Sequence, residues 1–106
     1  MKKSQGHERK RVEAMKMLFA AITTAMQIIA NFLKNGVKEN DPALLIAIDW
    51  IVGYTHMNAI PGADKDECWQ RAWDLVSNEL PSSLAERLVR VIDKRTDELH
   101  PDPERN

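Results

Sequence analysis

The run 15-MKMLFAAITTAMQIIANFLKNG-36 decides how the chain is read. Met15, Leu18, Phe19, Ile22, Ala25, Met26, Ile29, Phe32 and Leu33 recur at spacings of three and four, the signature of a helix buried along one side. Lys16, Thr23, Gln27, Asn31 and Lys34 fall opposite them. Asn35-Gly36 is a strong stop, because glycine accepts the left-handed conformation that closes a helix. Starting near Glu8, this helix would have about 27 residues and a length of about 40 Å. Met17, Ala21 and Ile28 form a second, narrower apolar strip beside the first. The strip is expected to be buried, either by a fourth helix or by a second copy of the chain, since exposed apolar patches mark contacts.

Outward from this helix, Asp41-Pro42 opens a second: Asp caps and Pro suits the first turn. From Ala43 to Met57 it is apolar nearly all round. Asp49, Gly53 and His56 share its one polar strip, and Pro61-Gly62 ends the segment. A third helix is expected over about Lys65–Leu80. Asp64 and Glu67 have capping-box spacing, and Trp69, Ala72, Trp73, Val76 and Leu80 form its core stripe. Pro81 breaks it. A fourth helix opens at Ser83, with Glu86 three residues on, and turns Leu84, Leu88, Val91, Ile92 and Leu99 inward. Pro101 and Pro103 mark a frayed tail over 100–106. No period-2 strand pattern and no repeat is present. The expected fold is all-α, one domain over 1–106 built as a bundle of four helices with a long first helix. Trp50, Trp69 and Trp73 are expected to pack on helix one near Phe19 and Ile22.

With 106 residues the chain has room for one domain. Hydrophobic residues at 43% and charged residues at 29% suit a soluble globular protein. The single Cys68 excludes an internal disulfide and fits a reducing, cytoplasmic setting. The apolar run of helix one follows basic residues, as in a signal peptide. However, Thr23, Thr24, Gln27 and Asn31 interrupt it, and Glu8 and Glu13 sit in the basic part, so neither secretion nor membrane insertion is expected.

The net charge of −1 hides a division. Residues 1–16 carry six basic residues against two acids, and residues 35–80 three basic against eight acidic. Such a dipolar layout steers a partner without naming it. Lys2, Lys3, Arg9, Lys10 and Arg11 cluster at the start of helix one; Arg87, Arg90 and Lys94 form a strip on helix four. If the two surfaces adjoin, they make a basic patch able to hold phosphates. The competing reading is a solvated helix face, with Glu86–Arg90 and Lys94–Glu98 as intrahelical pairs.

Residues that could carry chemistry are few. Asp49 and His56 could orient a base or hold a metal, but two ligands do not make a zinc site. The plainer readings are a wet strip, or an Asp49 paired with Arg95. Cys68 at a helix start could have a lowered thiol pKa; the plainer reading is a small buried filler. No phosphate loop, nucleophile triad or paired-cysteine motif is present, so no enzyme, no cofactor and no metal is expected.

A short all-helical chain with a charge-split surface, no catalytic motif and the basic stretch Gly6-His7-Glu8-Arg9-Lys10-Arg11 resembles the small phage-encoded anti-CRISPR inhibitors. The resemblance implies a non-enzymatic inhibitor of a host nucleoprotein complex. Its partners would be a protein or nucleoprotein complex, or DNA, and not a membrane. The alternative is a helix-turn-helix DNA-binding regulator, in which helix three, the break Leu80-Pro81-Ser82-Ser83 and helix four form the motif. Ser82, Ser83, Arg87 and Arg90 would then face the groove.

Overall fold

The computed structural model describes residues 2–56 and 60–101, with side chains from Arg9 onward. Four helices follow in order: α1 (Lys2–Lys34), α2 (Pro42–His56), α3 (Lys65–Asn78) and α4 (Ser82–Leu99), with no strand among the described residues. Pro103 and most of the expected tail lie outside that description.

Helix α1 begins at Lys2, earlier than its apolar pattern indicates, and has 33 residues. At about 1.5 Å per residue it is about 50 Å long, matching the 52 Å long axis of the molecule. Arg9 to Glu13 are exposed and burial is found from Ala14 onward, so the turn carrying Arg9, Lys10 and Arg11 stands clear of the core as a basic arm.

The stop at Asn35-Gly36 is as read. Gly36 has φ +82°, and the Gly36 and Val37 N–H groups donate to the carbonyls of Leu33 (3.1 Å) and Phe32 (3.0 Å). Asp41 accepts from the Ala43 N–H at 2.9 Å, and Asp64 caps α3 by accepting from the Glu67 N–H at 3.1 Å. The cap expected at Ser83 is not formed. Helix α4 starts one residue earlier, which puts Pro81 in the capping position, and proline has no side-chain acceptor to cap with.

Helix α1 is the common partner, packing on α2, α3 and α4. Leu18, Ile22, Met26 and Ile29 are fully enclosed, together with Leu44, Ile48, Ile51, Ala72, Val76 and Leu88. With three helices around it, α1 buries a broader face than its main stripe. Thr23, assigned to the polar side by spacing, is only 8% exposed, and among the described residues its hydroxyl has no hydrogen-bond partner. Three further expectations are corrected. Trp50 is 61% exposed instead of packed on α1, Leu99 is exposed instead of inward, and α3 ends at Asn78. Trp69 and Trp73 do pack against the core, each partly covered.

By length and composition alone, Arg9–Lys34 is apolar enough to cross a membrane. Within it, 44% of the apolar 18-residue window is buried inside the fold.

Candidate functional site

Three surfaces carry the residues of interest. The first is a groove of about 440 Å³ where the α1–α2 turn and α2 meet α4, lined by Lys38, Glu39, Arg87, Lys94, Arg95 and Glu98 among others. Its register is set by three cross-contacts. Arg87 and Arg90 face Glu39, Arg95 pairs with Asp49, and His100 stacks on His56 with ring centroids 3.8 Å apart. Positions rise together on both helices, so α4 runs in the direction of α2.

Asp49 is ion-paired, one of the two plain readings of its strip. The Arg95 guanidinium donates from Nε to Oδ1 at 2.7 Å and from Nη2 to Oδ2 at 3.1 Å, a two-pronged geometry. Arg95 also reaches Glu98 at 3.3 Å. The hydrogen bonds that Arg95 donates to Asp49 push its pKa further up, so this arginine stays charged and occupied. His56 meets His100 because α4 is long enough to return to the last residue of α2. Nothing in the spacing of either residue signals that contact.

Arg87 and Arg90 are held differently. Their nearest nitrogens lie 3.6 and 3.7 Å from the same Glu39 oxygen, beyond hydrogen-bond range for a charged pair. The intrahelical partners expected from spacing are replaced: Arg90 turns to Glu39 and Glu98 to Arg95. Lys94 lines the same groove.

The two basic clusters do not adjoin. Arg9, Lys10 and Arg11 lie at the start of α1, whereas Arg87 and Arg90 lie beside Glu39, just beyond its end. From Arg11 to Asn35 the axis runs about 36 Å. The side chains of Lys2 and Lys3 lie outside the described residues. Helices α3 and α4 pack chiefly on α1 and α2 and only marginally on each other, whereas a helix-turn-helix packs its two helices closely together.

The second surface lies between α1 and α3, where Met15 touches two groups. Its sulfur accepts from the Asp64 N–H at 3.1 Å and lies 3.7 Å from the Cys68 Sγ. Cys68 is 1% exposed, the filler reading of that residue. Burial pushes its thiol pKa up, and the carboxylates of Glu67 and Asp64 add to the rise. Exposed Val12 and Leu75 flank this groove, with Arg11, Lys16 and Arg71 at its rim.

The third surface is apolar. Between α1 and α2 runs a groove of about 490 Å³ with no charged residue in its lining. Ile28 (44% exposed), Ile46 (59%) and Trp50 project from its walls, and Met17 (61%) lies on the strip of α1 that also carries Ala21 and Ile28. That strip, expected to be covered by a fourth helix or a second copy, is open in the single chain: among the described residues no helix lies over it. Sequence reasoning found the α1 half of this surface and missed the α2 half, because the one narrow polar strip of α2, at Asp49 and His56, turns toward α4 and the rest of the helix is apolar nearly all round.

No group of three or more His, Cys, Asp or Glu side chains converges as a metal site among the described residues. Set against protein-family models, curated proteins and solved structures, the chain matches none of them.

Proposed function

We propose that this chain is a non-enzymatic, cytoplasmic helical interaction protein of the anti-CRISPR kind, engaging a nucleoprotein complex and meeting its phosphates with the groove between α4 and the α1–α2 turn. One observation carries the reading. Arg87 and Arg90 share a single carboxylate oxygen of Glu39 at 3.6 and 3.7 Å, so among the described residues most of their N–H donors are uncommitted beside Lys38 and Lys94. A phosphate offers two arginines more acceptor oxygens than one carboxylate does, and it matches the guanidinium fork. Glu39 would then act as a placeholder that a phosphate displaces. Arg95, locked on Asp49, would hold the groove's wall.

The test is a binding titration against random single- and double-stranded DNA at two salt concentrations. Affinity should fall steeply with salt, because each neutralised phosphate releases counterions. Changing Arg87, Arg90 and Lys94 to Ala should weaken binding to all sequences alike, since phosphate contacts carry no sequence code. Glu39→Gln should strengthen it. A base preference that shifts by about 1–3 kcal/mol at one position on changing Arg90 would favour the regulator instead. No binding to either DNA at low salt would overturn the phosphate reading.

A further inference from the structure

We infer that the uncharged face shared by α1 and α2 is the contact between two copies of this chain, related by a two-fold axis. The face joins projecting and receding parts. Ile28, Ile46 and Trp50 stand out beside a floor of small residues, Ala21, Thr24, Ala43 and Ala47. Tyr54 meets the Trp50 ring edge-on at 6.5 Å and 73°, so the two rings form one aromatic ridge at the wall of the groove. A two-fold axis sets the projecting side chains of each copy over the small-residue floor of the other, and the groove has room for an indole.

Charge selects the occupant. Across a two-fold axis a surface meets itself, so a charged patch would oppose like charges. In a chain with 29% charged residues, this groove has none in its lining. It offers no cation to a phosphate or an anionic lipid headgroup, and no anion to a basic protein. The area is adequate as well. Covering Met17, Ile28, Ile46 and Trp50 removes on the order of 500 Å² per copy. The small residues and Tyr54 between them bring this toward the roughly 800 Å² per partner of a standard interface. The inference is independent of the phosphate reading, because the charged groove uses the side of α2 that carries Leu45 and Ile48.

The full chain is to be followed by sedimentation equilibrium between about 1 and 100 µM, a range that spans moderate self-affinity. The expected species has twice the 12.1 kDa chain mass. Ile46→Asp and, separately, Met17→Glu should each weaken association at least about a hundredfold, because each change enters the interface twice. Leu75→Asp, on the α1–α3 side, should leave it unchanged. All three residues are exposed in the single chain, so helical circular dichroism should be retained. Should one α1–α2 variant lose it, the other reads the same surface. A monomer over the whole range overturns the inference, as does a dimer indifferent to both variants. So does a wild-type monomer that moves onto phosphatidylcholine vesicles through Ile46 and Met17.

Discussion

Asp49 and Trp50 are neighbours in sequence and opposites in environment. The carboxylate turns toward α4, where Arg95 grips it with two hydrogen bonds. The indole, the largest apolar side chain on α2, turns into solvent on the α1 side. Side-chain polarity would order them the other way. What decides is the position of each residue around α2 relative to its neighbours. Leu44, Ile48, Ile51 and Val52 take the core positions, and the residues on either side border whatever surface lies there. One border is a charged groove between helices, the other an apolar face without a covering helix.

That contrast can be broken at several points. The largest effect should come from the core between the two borders: Ile51→Ala should cost about 3–4 kcal/mol in denaturant unfolding, since the site is closed on all sides. Trp73→Ala should cost less, about 2–3 kcal/mol, because that indole is only partly covered. Trp50→Ala should cost under about 1 kcal/mol when measured at a dilution that keeps the chain monomeric. If Trp50→Ala costs as much stability as Ile51→Ala, the separation of α2 into a covered and an open side is wrong.

Asp49→Asn should lower the melting temperature by less than Ile51→Ala does, and its difference from wild type should shrink as salt is added. The pair is partly exposed and screened. A drop as large as that of Ile51→Ala would move Asp49 into the core. The smallest effect belongs to Cys68, a buried group that takes part in neither border. Its thiol is raised above the ordinary value of 9.0, so the folded chain keeps a proton that the unfolded chain releases. Stability from this group is complete below about pH 9 and declines as pH rises further. Urea midpoints of wild type and Cys68→Ala compared from pH 7 to pH 10 should converge as the pH rises.

Helices α1, α3 and α4 were legible because each has a polar side that reports its apolar one. Gly36 and Asp64 marked ends through backbone needs that few other residues meet. Helix α2 was legible as a helix and illegible in orientation: with apolar residues nearly all round, no stripe distinguishes Ile48 from Ile46. For the same reason an extra apolar strip was seen on α1, at Met17 and Ile28, where it was expected to be covered, and none on α2. Thr23 was misplaced because helical spacing counts turns on one helix and carries no information on how many helices surround it. Arg87 and Arg90 were identified from their periodicity. Their shared partner Glu39 lies in a turn some fifty residues earlier, and only folding brings it near.

The continuity of α1 past its first buried turn fixes an angle as well as a length. Arg9, Lys10 and Arg11 sit on the same unbroken helix as Leu18 and Ile22, so the compass bearing of the basic arm is set by a count of residues. One alanine inserted between Val12 and Glu13 would swing the arm by about 100° around the axis while advancing it only about 1.5 Å. Four would restore its bearing to within about 40°, one turn farther out. Any partner that reads the arm and the bundle together would therefore tolerate insertions in a rhythm of helical turns.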